Sequence, residues 1–352
     1  MKLFEPFRIR EIELKNRIAV SPMCEYSAKD GHPQPWHMVH LGSRAVGGAG
    51  LVFAEATGVE ARGRISPEDT GIYLDAHVAS WKPIVEFIRG QGAAAGIQLA
   101  HAGRKASTKS PFRGQGKITP EEGGWEPVAP SALAFQDDYP TPRALTTIEI
   151  ADVVAAFRKA AERSLEAGFQ IAEIHGAHGY LLHEFMSPLS NHRNDEYGGS
   201  FDNRVRLALQ VTKAVREIWP ERLPLFFRVS ATDWKEGGWD LEQTIELSRR
   251  LKPLGVDLMD VSSGGAVPGV KIPLGPGYQV PFSEAVRRQA GIATGSVGMI
   301  TDPAQADTIL SSGQADIVLL AREMLRDPYW PRRAAQALGV KIKAPAQYER
   351  AW

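Results

Sequence analysis

The strongest constraint on the fold is an alternation of short apolar runs with amphipathic helical patterns along the chain. Eight runs have the length and composition of buried strands, at residues 18–23, 50–59, 96–101, 170–175, 225–230, 257–262, 292–300 and 315–322. Helical patterns lie between or after them, at residues 38–47, 78–92, 148–168, 201–219, 241–254, 282–291, 303–313 and 328–338. Because strands that alternate with helices form parallel βαβ units, this pattern predicts an α/β fold, a closed (β/α)8 barrel of the TIM-barrel type. An open doubly wound sheet is the alternative, but no Gly-x-Gly-x-x-Gly motif follows an early strand.

Composition narrows the class of protein. The chain has 352 residues, with 41 Lys and Arg against 41 Asp and Glu, so its formal net charge is zero. Nothing in that balance suggests nucleic acid or an acidic membrane as a partner, and we expect a single domain over 1–352 in the cytoplasm. Cys24 is the only cysteine, which excludes intrachain disulfides, cysteine-ligated zinc and iron–sulfur clusters.

Polar residues cluster where the predicted strands end. They include Ser21, Cys24, Glu55, Gln98, His101, His175, Arg228, Ser262, Gly298 and Arg322. Active sites of such barrels lie at the C-terminal ends of the strands, in the loops that lead to the helices. Residues 102–145 are rich in Gly, Pro and Ser and too long for a simple connection, so we expect an excursion over this same face.

Residues 171–182 carry the most informative local pattern, a buried strand that runs into a loop with two histidines and a tyrosine. Gly176 and Gly179 allow the loop to fold back, so that His175 and His178 can converge instead of pointing to opposite faces. Two imidazole donors and a protonated phenol, Tyr180, can polarise an oxygen and assist hydride transfer to an activated C=C bond. The alternative is a set of local hydrogen bonds at a strand end. A second pair, His37 and His40, lies one helical turn apart, and we predict that it lies on a helix surface.

Longer motifs appear in order along nearly the whole chain. They are found at residues 16–18, 21–26, 55–57, 98–104, 175–180, 190–200, 297–300 and 347–352. In these stretches the chain resembles the Old Yellow Enzyme family of flavin-dependent ene-reductases. It is most similar to the bacterial NADPH dehydrogenase or xenobiotic reductase branch, often called thermophilic-like. One departure is Ala321 before Arg322, where many relatives have glycine.

The resemblance implies FMN as cofactor and NADPH, or NADH, as hydride donor. The implied FMN contacts are Ser21, Pro22, Met23, Cys24, Ala56, Gln98, Arg228, Gly298, Ala321 and Arg322, the last three at the phosphate. The implied substrate contacts are Tyr26, His175, His178 and Arg350. Tyr180 would donate the proton, and Cys24 would tune the flavin.

The implied reaction is NAD(P)H-dependent reduction of enones, enals, maleimides or nitroalkenes. In the resembling branch the C-terminal tail, about residues 341–352 here, enters a neighbouring subunit, which implies a homodimer or homotetramer with Arg350 shared across the interface. Two other functions stay open on the sequence alone. One is a metal-dependent hydrolase that uses His175 and His178 as ligands, and the other is a flavin-binding protein without catalytic activity.

Overall fold

The computed structural model describes residues 1–352. Its strands are β1 Phe7–Ile9, β2 Ile12–Leu14, β3 Ile18–Val20, β4 Leu51–Gly58, β5 Ala94–Ala100, β6 Val128–Ala129, β7 Arg143–Ala144, β8 Ile171–Gly176, β9 Leu225–Ser230, β10 Leu258–Ser262, β11 Ala293–Val297 and β12 Ile317–Leu320. Its helices are α1 Pro35–Val46, α2 Asp75–Gly90, α3 Thr147–Glu166, α4 Leu181–Met186, α5 Phe201–Ile218, α6 Leu241–Leu251, α7 Val280–Ala290, α8 Pro303–Ser311, α9 Arg322–Arg326 and α10 Trp330–Ala337.

Eight of the strands form a closed parallel barrel. Their order is β3-β4-β5-β8-β9-β10-β11-β12, and β12 pairs with β3 to close the ring. The predicted (β/α)8 barrel is therefore confirmed. Several strands end earlier than the apolar runs suggest. The run at 292–300, for example, stops at Val297, because Gly298 and Met299 have φ of +121° and +51° and leave the extended conformation.

Helices pack their apolar faces on the outside of the barrel, as α3 illustrates. Thr146 caps its N-terminus: the Glu149 backbone N–H donates to Thr146 Oγ1 at 3.2 Å, and Thr146 N–H donates to Glu149 Oε2 at 2.9 Å. Ile150, Val153 and Phe157 follow at helical spacing and are fully buried. The main core therefore lies between the helices and the sheet.

A hairpin formed by β1 and β2, which the sequence interpretation missed, closes the N-terminal end of the barrel. Strands β1 and β2 pair antiparallel, and Ile9 and Leu14 join a buried cluster that includes Phe53 and Phe226 near the starts of the barrel strands. This apolar cluster fills the N-terminal end of the barrel. The polar strand ends lie at the opposite end.

The 102–145 excursion crosses the C-terminal face, as expected. Arg104 Nη2 donates to the carbonyl of Ala266 at 2.6 Å, and Lys105 Nζ donates to the carbonyl of Gly265 at 2.6 Å. The excursion is thereby tied to the loop that follows β10. Separately, none of the helices is long and apolar enough to cross a membrane.

Candidate active site

The loop after β8 brings its two histidines and its tyrosine together. The His178–His175 ring centroids are 5.3 Å apart, and the His175–Tyr180 centroids are 5.1 Å apart. The turn needs left-handed backbone at His178, with φ +59°, and at Gly179, with φ +70°. A Cβ on Gly179 would lie 2.1 Å from the carbonyl oxygen of Gly265, so only glycine fits there. The predicted convergence of the two imidazoles is present, and the Tyr180 ring lies beside them.

Burial sets the protonation of these three side chains. The pKa values of His175 and His178 lie well below 6.5, because burial and the nearby Arg228 both disfavour the imidazolium form. The pKa of Tyr180 lies well above 10, because burial and then the acidic groups Cys24 and Tyr26 disfavour the phenolate. At pH 7 the group therefore consists of two neutral imidazoles and a phenol that keeps its proton.

Hydrogen bonds decide which ring nitrogens remain for a ligand. His175 Nδ1 accepts from the Ala177 backbone N–H at 3.3 Å, so the ring proton lies on Nε2. His178 Nε2 lies 2.8 Å from Ser262 Oγ, which leaves His178 Nδ1 without a protein partner. Each imidazole thus keeps one nitrogen that can bind a ligand. Ser262 was not assigned this contact by the sequence interpretation.

Lys105 is a second residue that the sequence interpretation missed. Its Nζ donates to the carbonyl of His178 at 2.8 Å and to that of Gly265, and it lies 5.5 Å from the centre of the Tyr180 ring. Burial lowers its pKa to about 7. The signal available in the sequence was its position directly after the 98–104 motif. Lys105 fixes the left-handed turn from the side of the excursion.

The segment after β3 forms another wall of the site. Ser21 is buried and its Oγ has no hydrogen-bond partner in the chain, whereas Pro22, Met23 and Cys24 are half-buried. Burial, followed by the charges of Asp69 and Glu55, raises the pKa of Cys24 well above 9, so the thiol is protonated. Burial likewise raises the pKa of Tyr26, which has left-handed backbone with φ +46°.

A buried network holds this segment, and it corrects the prediction for two histidines. His37 and His40 are 1% and 5% exposed, so they do not lie on the helix surface. His37 Nε2 lies 2.9 Å from Glu55 Oε1, and His40 Nε2 lies 3.4 Å from Glu25 Oε1. Glu55 Oε2 also accepts from the Glu25 backbone N–H. Helix α1 packs on β4, where His37 is hydrogen-bonded to Glu55 and His40 lies beside Glu25, the residue that follows Cys24.

The interior wall of the site is lined by polar side chains of neighbouring strands. Gln98 Nε2 donates to Glu173 Oε1 at 2.8 Å, and Arg228 Nε lies 3.2 Å from Asp260 Oδ2. All four side chains are buried. Ala56 is paired with Gln98 beside a register shift in β4. Glu173 and Asp260 were not predicted, although a carboxylate within an apolar strand is itself a signal of a specific role.

A cavity of about 310 Å³ opens next to the loops after β11 and β12. Gly298, Ala321 and Arg322, predicted to hold a phosphate, all line it, together with Ser262 and Gln279. Arg322 is exposed, and its side chain forms no ion pair in the chain. A Cβ on Gly298 would lie 2.7 Å from Gln279 Nε2, which explains why glycine stands at this position.

Arg350 lies apart from these residues. It belongs to the exposed 3-10 segment Ala346–Ala351, outside the group around His175. Trp352 stacks on Tyr329 with an angle of 11° between the rings, and Arg332 lies 5.5 Å from the centre of the Trp352 ring. The tail therefore packs on its own α10, and its predicted contact with another subunit stays a prediction.

The residues present fit a flavin nucleotide. The buried Ser21 Oγ lacks a hydrogen-bond partner in the chain, as expected for a group that contacts a bound polar ring, and the Arg228 guanidinium forms an ion pair with Asp260 but no hydrogen bond. The cavity at Gly298 offers backbone N–H groups and the free guanidinium of Arg322 to a phosphate. No group of three or more His, Cys, Asp or Glu side chains is arranged to hold a metal ion.

Comparison with known proteins assigns the family. The model of the family described as "NADH:flavin oxidoreductase / NADH oxidase family" matches residues 2–340. The chain belongs to this family. It is 50% identical over 352 residues to an NADPH dehydrogenase of Geobacillus sp. (strain WCH70), covering 99% of this chain and 98% of the relative. It is 47% identical over 353 residues to an NADPH dehydrogenase of Bacillus subtilis (strain 168), covering 100% and 99%.

A solved structure agrees with this assignment. Morphinone reductase superposes with a TM-score of 0.81 at 29% identity, covering 99% of this chain and 92% of that one. The predicted resemblance to the Old Yellow Enzyme family is confirmed, and so is the prediction of an oxidoreductase with flavin and nicotinamide cofactors. The family is one of oxidoreductases, not of the metal-dependent hydrolases left open by the sequence alone.

Proposed function

We propose that this protein is an FMN-dependent NADPH ene-reductase that reduces the C=C bond of enones, enals, maleimides or nitroalkenes. The observation that carries the proposal is the meeting of three neutral donors, His175, His178 and Tyr180, next to the buried cation Arg228. The names of the relatives support NADPH as the hydride donor. The family supports a catalytic flavoprotein over a passive flavin carrier.

The chain would hold the cofactor at both ends. When bound, FMN would supply the hydride-transfer chemistry between NADPH and the substrate. Ser21 Oγ, Gln98 and Arg228 provide hydrogen bonds and positive charge for the polar edge of the flavin. Gly298, Ala321 and Arg322, which line the cavity after β11 and β12, would bind the phosphate. Pro22, Met23 and Ala56 would lie against the ring, and the protonated Cys24 thiol would tune its electronics.

The imidazoles and the phenol would act on the substrate. His175 Nε2 and His178 Nδ1, the two ring nitrogens left without a protein partner, bind the carbonyl or nitro oxygen. Tyr26 lines the same pocket. Tyr180 keeps its proton at pH 7 and gives it to the carbon next to the electron-withdrawing group. Hydride and proton would thus reach the two carbons of the double bond from different donors.

We further propose that residues 341–352 complete the site of a neighbouring copy of the chain in a homodimer or homotetramer. Tyr348 and Trp352 are 44% and 50% exposed, which is high for aromatic side chains near a chain end that packs on α10. Arg350 is exposed beside them and is the residue proposed to reach the partner's substrate pocket. Arg and aromatic residues are the types enriched at interface anchor points.

Two half-reactions test the proposal. The purified protein should be yellow, NADPH should bleach it without oxygen, and cyclohexenone should restore the colour. Replacing His175 or His178 with Ala should slow the second step and weaken binding of phenolic ligands while FMN stays bound. His192→Ala is the matched control, because that histidine is exposed and its only hydrogen bond comes from its backbone N–H. Wild-type rates in both histidine variants, or no bleaching by NADPH, would refute the proposed function.

A further inference from the structure

The carboxyl groups of Glu173 and Asp260 lie within hydrogen-bonding reach of each other inside the barrel, next to the guanidinium of Arg228. Glu173 on β8 and Asp260 on β10 are fully buried, and Arg228 lies between them on β9, directly paired with Asp260 in the sheet. Glu173 Oε1 accepts from Gln98 Nε2, but Glu173 Oε2 and both Asp260 oxygens have no hydrogen-bond donor in the chain. Three acceptor atoms are therefore buried without a donor.

Arg228 satisfies this pair only in part. Its Nε approaches Asp260 Oδ2 to 3.2 Å, close enough for an ion pair, but the direction is outside hydrogen-bond geometry. One cation thus faces two carboxyl groups. If both were ionised, the cluster would carry a net charge of −1 away from water, which is strongly unfavourable for two adjacent carboxylates.

We propose that Glu173 and Asp260 share one proton, so that together with Arg228 they form a cluster without net charge in the flavin site. The shared proton lies between Glu173 Oε2 and an Asp260 oxygen and supplies the donor that these atoms lack. Glu173 and Asp260 are then positioning residues: the first orients Gln98 and the second orients Arg228. The proposal rests on the proposed function only in placing Gln98 and Arg228 at the flavin.

The charges around the pair support this assignment. Burial is the main cause that raises the pKa of Glu173 well above 4.5, and the neighbouring Asp260 raises it further, against the opposing effect of Arg228. Burial likewise raises the pKa of Asp260. The groups that face the pair are Arg228 from β9 and the uncharged Gln98 from β5. No second cation is in contact to hold both carboxylates ionised.

The midpoint potential of bound FMN shows whether Glu173 and Asp260 share one proton or are both ionised. In Glu173→Gln the remaining Asp260 carries the single negative charge, and in Asp260→Asn the remaining Glu173 carries it. Each single variant therefore keeps the net charge of the wild-type cluster and should keep the midpoint potential. The double variant removes the last negative charge and should raise the potential, because positive charge favours the reduced flavin.

Two outcomes of this titration would overturn the proposal. If each single variant raised the potential by one step and the double variant by about two, both groups are ionised in the wild type. If even the double variant left it unchanged, the pair carries no charge that the flavin senses. Glu184→Gln is the matched control, because Glu184 is also a buried carboxyl group but bonds to the Arg104 backbone N–H instead. Its potential should equal that of the wild type.

Infrared spectroscopy of the holoenzyme tests the proton directly. A protonated carboxyl C=O band that shifts in D2O should be present in the wild type and lose one component in each single variant. Glu184 and Asp69 also contribute to this region, since burial raises their pKa values to about 8. If one variant fails to hold FMN, the other single variant decides through the same loss of one band component. The absence of that loss would overturn the proposal.

These measurements use a chemical reductant and need neither NADPH nor an enone. If the protein fails to oxidise NADPH, the proposed function is refuted. The charge state of Glu173 and Asp260 is still decided by the midpoint potentials and the infrared bands. Conversely, an active ene-reductase with stepwise potentials in the single variants would refute the shared proton alone.

Discussion

Replacing Gly298 with alanine should weaken FMN binding through the phosphate end of the site. Gly298 has φ +121°, a backbone conformation that costs a residue with a side chain about 1–3 kcal/mol. The new Cβ would lie 2.7 Å from Gln279 Nε2 and 2.9 Å from the Tyr278 ring. Gln279 cannot turn away without loss, because it donates to the Val297 carbonyl at 2.8 Å and accepts from Ser263 Oγ at 2.6 Å.

The expected size follows from these terms. Breaking one buried hydrogen bond of Gln279 costs about 1 kcal/mol, so strain and lost bond together amount to about 2–4 kcal/mol. The loop can relieve this by moving away from the phosphate. If all of it is taken from binding, the Kd for FMN rises by about 30- to 700-fold, at about 1.4 kcal/mol per tenfold change.

The assay is a titration of apoprotein with FMN and, in parallel, with riboflavin, which lacks the phosphate. We expect weaker binding of FMN but nearly unchanged binding of riboflavin. Gly339→Ala is the matched control, since Gly339 also has positive φ, at +68°, but its Cβ would meet no atom within 4 Å. Wild-type affinity for FMN in the Gly298 variant, or an equal loss for both ligands, would refute the phosphate assignment.

Four further predictions address the remaining assignments. Tyr180→Phe should lower turnover of enones by about a hundredfold but that of nitroalkenes less, because a nitronate can leave unprotonated; equal losses would contradict proton donation. Cys24→Ala should shift the midpoint potential of FMN without abolishing turnover, whereas inactivation at an unchanged potential would indicate covalent catalysis. Because both imidazoles have a pKa well below 6.5, the oxidative half-reaction should show no histidine limb near that pH. Lys105, whose pKa is lowered to about 7, should instead give a step near pH 7, and an unchanged step in Lys105→Met would contradict this. Deleting residues 347–352 should weaken both association and substrate binding, with partial complementation by His175→Ala, and a fully active monomer in sedimentation would exclude a shared site.

The barrel could be predicted because each strand is an apolar run separated from the next by a helical period. The boundaries could not, because backbone angles end the strands before the apolar residues do. The hairpin at residues 7–14 was missed although its apolar positions alternate. Its two strands have only three residues each. Strands this short are recognised by the surface on which they pack, and a three-residue sequence pattern does not reveal that surface. Helix α9 was hidden for a similar reason, since it spans only five residues.

The sequence allowed us to predict which side chains of the barrel strands lie close together in the candidate site. His175, Gln98 and Arg228 end neighbouring strands, and strand order in a barrel brings such residues together. Partners contributed from outside that pattern were not predictable. Lys105 reaches His178 from the excursion, and His37 meets Glu55 because α1 turns its imidazoles inward. Such contacts depend on packing that spacing alone does not encode.

One physical cause explains the protonation of the whole site. Burial disfavours whichever form of a group is charged, so it lowers the pKa values of His175 and His178 and raises those of Tyr180 and Cys24. All four are therefore neutral at pH 7, and Arg228 is left as the cation among them. In the proposed reaction, negative charge that develops on the substrate oxygen would be stabilised by hydrogen bonds from these neutral donors, so Arg228 would not be needed to balance it. Arg228 would then act on the flavin in the proposed site, and the negative charge that opposes it would depend on how many protons Glu173 and Asp260 hold. The same burial that keeps the imidazoles neutral therefore also makes the net charge around Arg228 depend on the number of protons that Glu173 and Asp260 hold.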